Sequence, residues 1–337
     1  MDMGKNWLRP ILAFVDRQKF SPANKSKYRE GNIMVKYILK RVAILLVTLW
    51  VVVTLSFFLM QVMPGTPYNN PKLTDEMIAL MNKQYGLDKP VWQQYLTYLW
   101  NILHGDFGTS YQSINQPVGR LISQRLGVSI QLGVQALIVG LLSGIVVGAA
   151  SARNKNNWID GVLSVISTLG ISVPSFIIGL FLLVTLGFKW SLFPLAGWGS
   201  FEQTIMPSIA LAIPVFAQVT RFFRGQMIET LSSDYIQLAT AKGLNKRQVA
   251  RKHAYRNSMI PVLTLVGPMA ANLLTGSALI EQIFSIPGIG QQFVTSIPAK
   301  DYPVIMGTTI VYAMMLMVAI LVTDIATSIV DPRVRLQ

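Results

Sequence analysis

Long uncharged apolar runs dominate the chain and set its architecture. About 20 apolar residues in helical form cross a ~30 Å hydrocarbon layer. Six segments meet that length: Val42 to Met63, Gly127 to Ala150, Gly161 to Phe188, Thr204 to Phe223, Met259 to Ile280 and Val304 to Ile325. The third holds Pro174 and the fourth holds Pro207 and Pro214. Prolines in such spans are expected to kink a helix rather than end it, because neighbouring helices or water satisfy the freed carbonyls. The pattern predicts an all-α membrane protein with six transmembrane helices, and an even number puts both termini on one side.

The polar stretches between the runs have a grammar of their own. In residues 64–125, Thr74 before Asp75 and Glu76 reads as an N-cap with two acids in the first turn, and Gly86 reads as the stop. Pro90 opens a second helix and Gly105 lies just past its end, while Trp92, Tyr95, Leu96, Leu99 and Leu103 recur at helical spacing as one apolar stripe. Two amphipathic helices over the membrane part satisfy this, whether they only pack there or also meet an external partner. Between spans four and five, Asp234 with Gln237 forms a capping-box-like start for a short helix through Tyr235, Ile236, Leu238, Ala239 and Ala241, stopped by Gly243. Asn245 with Gln248 starts a second helix carrying Lys246, Arg247, Arg251, Lys252 and Arg256, and ending before Pro261. Ile236 and Leu238 on an exposed edge point to a partner surface; a basic loop on anionic headgroups is the alternative. The stretch from Phe284 to Tyr302, with Pro287, Gly288, Gly290 and Pro298, cannot be one helix and reads as a re-entrant lid or a plain loop.

Composition and charge then orient the spans. Charged residues are 13% of the 337, about half the ~25% usual for soluble proteins. The 29 Lys+Arg against 15 Asp+Glu give a net +14. On a soluble protein this would suggest nucleic acid; on a chain this apolar it marks topology, because cytoplasmic loops collect Lys and Arg. Ten basic residues lie in residues 1–41, two near Arg153, eight between spans four and five and two after span six, so 22 of the 29 share one face. Both termini are therefore expected in the cytoplasm, with a long first extracellular loop and no nucleic-acid partner. The absence of cysteine excludes disulfides and thiolate chemistry, and two histidines, His104 and His253, expected on opposite sides, exclude a histidine-rich metal site. The N-terminus, basic through Gly31 with an apolar patch from Leu8 to Val15, does not read as a cleavable signal. It is either a lipid-facing amphipathic arm or a mobile tail. No Gly-x-x-x-x-Gly-Lys-Ser/Thr loop occurs, so no nucleotide site is expected on this chain.

Polar residues inside the spans are the remaining candidates. Ser172, Ser175, Asn272 and Thr275 are candidate pathway residues, although such rows also make interhelical hydrogen bonds. Glu281, at the end of span five, is a pore-mouth or a structural group, and Asp324 is expected to make an inner-face contact with Arg221 or Arg224. Gly140, Gly144 and Gly148 recur every four residues on span two, which reads as close helix packing or a moving hinge.

The run Asp234-Tyr235-Ile236-Gln237-Leu238-Ala239-Thr240-Ala241-Lys242-Gly243-Leu244, followed by Arg256-Asn257-Ser258 and Ile260-Pro261, resembles the EAA-type coupling loop of ABC importer permeases. The oligopeptide/dipeptide/nickel branch resembles the chain nearly end to end from Met34. Its marks appear in order: Pro64-Gly65-Thr66-Pro67, Gly105-Asp106-Phe107-Gly108-Thr109-Ser110, Pro287-Gly288-Ile289-Gly290, Asp301-Tyr302-Pro303 and Asp331-Pro332-Arg333-Val334-Arg335. The chain departs from the pattern in Gln237-Leu238-Ala239 where the motif begins Glu-Ala-Ala, in Thr66 where aspartate is common, and in residues 1–33, which have no counterpart.

The resemblance implies a type I ABC importer permease fold and the B-type membrane subunit of a peptide importer in a prokaryotic cell membrane. It implies a second similar permease, two cytoplasmic ATPase subunits that bind ATP and Mg, and an external peptide-binding lipoprotein, with no catalytic residue, metal or cofactor on this chain. The ATPase-coupling residues it implies are Asp234, Tyr235, Ile236, Leu238, Ala239, Ala241, Lys242, Gly243, Leu244 and Arg247. The layout is an extension over 1–33, a first span over 34–63, an extracellular loop over 64–125, a permease core over 126–330 with the coupling loop at 224–258, and a tail over 331–337. Nickel or glutathione import within the branch is the alternative. An ATPase-independent transporter would need coupled mid-membrane carboxylates and an internal repeat, and a membrane-embedded enzyme would need clustered His, Asp or Glu; the chain has neither.

Overall fold

The computed structural model describes residues 22–63, 74–113, 116–243, 245–249 and 254–330. The readings placed on residues 1–21, Thr66, Leu244, His253 and the tail over 331–337 lie outside them. Among the described residues the fold is helical, with one isolated bridge between Thr109 and Pro117.

Helix α1 (Pro22–Val62) runs unbroken for 41 residues, roughly 60 Å at ~1.5 Å per residue. Only its Ile38–Val62 part is apolar enough to cross a membrane. Helices α2 (Asp75–Tyr85) and α3 (Val91–Leu103) have the expected ends. The Thr74 hydroxyl accepts the Met77 N–H, and Gly86 closes α2 with φ 69°. Pro90 precedes α3, and Gly105 turns with φ 76° after it. The stripe on α3 divides differently from expectation. Tyr95 packs on Phe57 and Phe58 of α1, while Trp92, Leu96 and Leu103 are exposed.

Helix α4 (Val118–Arg153) packs along α7 (Phe201–Leu231) over most of its length. The glycine row decides this contact. A Cβ at Gly140 or Gly144 would sit 2.7 Å from Val215 or Val219, and one at Gly148 would sit 2.7 Å from the Thr220 carbonyl. The backbones approach closely only because these positions carry no side chain, which is the packing alternative of the sequence reading. Helix α5 (Trp158–Ser172) and helix α6 (Ser175–Leu182), which continues as a π-helix over Leu183–Lys189, meet at a bend of 102°. Pro174 lacks the N–H that would continue α5 and holds Val173 extended (ψ 122°). This is a sharper break than the expected kink.

Helices α8 (Asp234–Ala241) and α9 (Lys246–Val249) lead into α10 (Tyr255–Ile283). Helix α10 passes through Pro261 and Pro268 without ending. The expectation that a basic helix stops before Pro261 is therefore wrong: Arg256, Asn257 and Ser258 belong to α10. Pro261 falls in the second turn of α10, where the loss of one N–H does not end the helix, because the long apolar face beyond it is packed. Helix α11 (Ile289–Ala299) and helix α12 (Tyr302–Val330) complete the chain. Among the described residues, four helices are long and apolar enough to cross a membrane, within α1, α4, α7 and α12, or five when the bent α5–α6 pair counts as one. The expected span from Met259 falls inside α10.

Candidate functional site

The α8–α9 pair is built from local signals. Asp234 is the first helical residue, not the cap, and the Ser233 carbonyl accepts the Ile236 N–H. The acid still sits at the positive end of the helix dipole. Gly243 ends the helix with φ 89°. Asn245 and Gln248 cap α9 reciprocally: the Asn245 N–H donates to Gln248 Oε1 at 3.1 Å and the Gln248 N–H to Asn245 Oδ1 at 2.8 Å. Ile236 corrects the sequence reading. It is buried against Val249, which holds the two short helices together, and the exposed apolar edge is Tyr235 and Leu238. Asp234, Ala241, Lys242 and Gly243 are exposed beside it. The side chains of Ala239 and Arg247 lie outside the described positions, as does Leu244.

One further bond, which the sequence does not announce, ties this pair to α10, and a second joins α10 to α7 beside it. Asn257 Nδ2 donates to the Tyr235 hydroxyl at 2.8 Å, and the Ser258 hydroxyl donates to Thr230 Oγ1 at 3.2 Å. The pair thus stands on the junction between the end of α7 and the start of α10.

The buried acids have partners that spacing does not reveal. Arg224 does not contact Asp324. Its Nε and Nη2 donate to the two Asp160 oxygens at 2.7 Å each, and Ser151 and the Asn156 N–H complete the carboxylate's shell. Asp324 instead pairs with Arg41 of α1 at 3.3 Å. The reason is geometric: although both helices pack on α10, α7 also packs on α4 and α5 and α12 on α1, so each charge finds its partner on a different neighbour.

Glu281 is fully buried. Its Oε1 accepts the Ser129 hydroxyl at 2.7 Å and its Oε2 the Gln291 N–H at 3.0 Å, while the Ile289 N–H donates to Ser129 Oγ at 2.9 Å. The carboxyl group therefore caps α11 from α10. A Cβ on Gly288 would overlap the carboxylate, and one on Gly290 would lie 2.5 Å from Ala278 Cα. Glu281→Ala is expected to strand the Gln291 N–H and the Ser129 hydroxyl and to lower the stability of the purified protein by about 2–3 kcal/mol. A thermal melt unchanged from wild type, with no new proteolysis at Lys300 after α11, would show the socket to be dispensable.

The polar candidates of the spans are only partly brought together. Ser175 and Asn272 line one small cleft of 110 Å³ with Gln218, Met269 and Pro214. Gln218 is a polar residue in an apolar run, a signal that the sequence offered and that the candidate set missed. Ser172 lies elsewhere, exposed, its hydroxyl on the Thr168 carbonyl. Thr275 falls on α10, its side chain outside the described positions.

At the other end of the bundle two sequence motifs clasp each other. Asp301, buried, accepts the Ser110 hydroxyl and, at 3.0 Å, the Tyr111 N–H, while Gln112 Nε2 donates to the Ala299 carbonyl at 2.7 Å. Asp106 accepts the Gly108 N–H at 2.8 Å, and Gly108 turns with φ 80° against Pro303. Between this clasp, α2, α3 and the end of α1 lies a cavity of 630 Å³ whose walls include Tyr85, Tyr98, Tyr111 and Tyr302. Burial pushes the Tyr98 phenol up from its ordinary range.

Comparison with known proteins follows this geometry. The family described as the binding-protein-dependent transport system inner membrane component matches residues 144–336, and its N-terminal component matches residues 34–133. The dipeptide transport system permease protein DppB of Lactococcus lactis subsp. cremoris is 64% identical over 303 residues, covering 90% of this chain and 100% of that protein. DppB of Bacillus subtilis is 39% identical over 304 residues, covering 90% and 99%. The oligopeptide transport system permease protein OppB of Haemophilus influenzae is 36% identical over 305 residues, covering 90% and 100%.

Proposed function

This chain belongs to the family of binding-protein-dependent transport system inner membrane components, and from that premise we propose that it is the membrane-spanning permease subunit of an ABC importer for dipeptides and short oligopeptides. The observation that carries the coupling part of this reading is the α8–α9 pair. It is a short helix with an exposed apolar edge, broken at Gly243 and bonded to the junction of two long helices.

Six spans complete the layout. Helix α10, 29 residues long, measures roughly 43 Å at ~1.5 Å per residue, more than a ~30 Å hydrocarbon layer requires. The α5–α6 pair counts as one broken span. The termini then share the face that holds most Lys and Arg, the cytoplasm. On this layout residues 1–33 form a cytoplasmic extension, 34–63 the first span, 64–125 the extracellular loop, 126–330 the core with the coupling loop at 224–258, and 331–337 the tail.

Helix α8 docks in a groove of an ATPase subunit, with Tyr235, Leu238, Ala241 and Lys242 outward and Asp234, Ala239, Gly243, Leu244 and Arg247 completing the contact. When two such subunits close on ATP and Mg they carry α8 as a rigid body. The Ile236–Val249 packing and the Tyr235–Asn257 bond pass that displacement to α10, and the Ser258–Thr230 bond to α7. Ser175 and Asn272, with Gln218, belong to the pathway face, while Glu281 holds α11 in place. A second similar permease completes the pore, and an external peptide-binding lipoprotein delivers cargo.

The test is uptake. Deleting the chain from its native cell is expected to abolish import of labelled dialanine, and a plasmid copy to restore it; import that survives deletion would refute the assignment. Gentle detergent purification of the tagged chain is expected to bring down two ATPase subunits.

A further inference from the structure

Helix α3 has an apolar arc that the rest of the chain only half covers. One part of it, Tyr95 and Tyr98, packs on Phe57 of α1 at centroid distances of 5.4 and 5.9 Å. The next part, Trp92, Leu96, Trp100 and Leu103, recurs at helical spacing and is between 55% and 80% exposed. The remaining side of the helix is polar, and its Gln94, Thr97 and Asn101 line the outer cavity. At ~3.6 residues per turn the bare stripe and the cavity face lie on opposite sides of α3. A row of two tryptophans and two leucines left uncovered marks a contact with a partner or a membrane.

The depth of α3 decides which. The spanning part of α1, Ile38–Val62, has 25 residues, roughly 37 Å at ~1.5 Å per residue. Centred on a ~30 Å hydrocarbon layer, it overhangs each edge by roughly 4 Å. Phe57 and Thr54 then lie roughly 4 and 8 Å inside the edge nearest Val62. Helix α3 grips both: the two tyrosine rings pack on Phe57, and the Tyr95 hydroxyl bonds to Thr54 Oγ1 at 2.7 Å. Interfacial amphipathic helices sit at this level, about 5–10 Å into the boundary between headgroups and acyl chains. Tryptophan and tyrosine are enriched there because their rings are apolar with one polar edge. The adjoining face of α1 is also bare at Leu55, Leu59 and Val62, so the stripe continues the lipid-facing surface of a spanning helix. A water-borne protein would have to enter the leaflet to reach it.

We propose that α3 is an interfacial anchor whose Trp92, Leu96, Trp100 and Leu103 are seated in lipid, in the leaflet at the Val62 end of α1, the outer one on the layout above. This surface goes beyond the permease reading and does not depend on what the permease carries. The opposite side of α3 is a wall of the 630 Å³ cavity, so the leaflet holds that wall at a fixed height over the membrane part.

The chain has no cysteine, so single thiols can report on each side of α3. Leu96→Cys and Leu103→Cys on the stripe, and Thr97→Cys, exposed on the cavity wall, are spin-labelled in the intact complex. The complex is held in phosphatidylcholine nanodiscs with no external binding protein added. Relaxation of each label by oxygen, which concentrates in hydrocarbon, is compared with relaxation by a water-soluble nickel chelate. The oxygen-to-nickel ratio at both leucine positions is expected to exceed that at Thr97 severalfold. A ratio equal to that at Thr97 would put the stripe in water, and labels shielded from both reagents would put a protein partner on it; either result overturns the proposal. Brominated acyl chains give a second reading without a label. The emission difference between the native complex and a Trp92→Phe/Trp100→Phe variant is expected to shrink in brominated lipid, and a difference that keeps its full size counts against the lipid seat. Neither readout involves uptake, so their failure leaves the transport reading standing.

Discussion

Replacing Gly243 by aspartate is expected to abolish uptake while leaving the chain folded and in the membrane. A Cβ at this position meets nothing within 4 Å, so the obstacle is not crowding. It is the backbone: Gly243 turns with φ 89°, and an L-residue held in left-handed geometry costs of order 1–3 kcal/mol. The break between α8 and α9 relaxes to relieve that strain and changes the angle at which Tyr235 and Leu238 are offered. Aspartate also sets a negative charge at the C-terminal end of α8, where the helix dipole disfavours it. A docking loss of about 1.4 kcal/mol is tenfold in affinity, so ATPase recovery should fall about tenfold or more, with an unchanged thermal melt. Gly243→Asn, which tolerates left-handed geometry better, should fall between. Full ATPase recovery and full uptake in the aspartate variant would end the coupling role assigned to this loop.

Arg224→Ala is expected to lower stability more than a change to Arg41 or Asp324, the other ion pair among the described residues. The Asp160 side chain is 6% exposed and receives two guanidinium hydrogen bonds of 2.7 Å. Removing the arginine leaves a buried carboxylate with only Ser151 and a backbone N–H as donors. Breaking a buried pair from one side costs about 3–5 kcal/mol. With Arg224 itself 30% exposed, the lower end of that range applies. Adding Asp160→Asn to Arg224→Ala should recover much of the loss, because the second change removes the unpaired charge. A melt of Arg224→Ala equal to that of wild type, or no recovery in the double variant, would show that solvent already screens the pair. Arg224 lies two turns before the end of α7, so the same variant should also weaken uptake by loosening α7 against α5.

The caps were legible because they are local. Thr74, Gly86, Gly243 and the Asn245–Gln248 pair each act within four residues, and such short-range bonds depend little on the rest of the fold. The glycine row on α4 was legible for a related reason, since its spacing of four marks one helix face whichever neighbour lies against it. The apolar stripe of α3 misled because helical spacing names a face without saying which part of it is covered; α1 covers Tyr95 and leaves Trp92 and Leu96 bare. Pro261 misled because a proline stops a short exposed helix but does not end a long packed one.

Sequence alone determined the long apolar runs, the clustering of Lys and Arg along the chain, the two short helices between α7 and α10 with a glycine between them, and the family that these features resemble. Tertiary structure alone decided which charges meet. Arg224 turned to Asp160 and Asp324 to Arg41, Glu281 became the cap of α11, Ile236 turned inward onto Val249, and Asp301 joined the Gly105–Ser110 motif to the start of α12. The physical reason is range. Hydrophobic period and capping are written in neighbouring residues. An ion pair needs two groups within about 4 Å, and which groups come that close is settled only when α4 packs on α7 and α12 packs on α1.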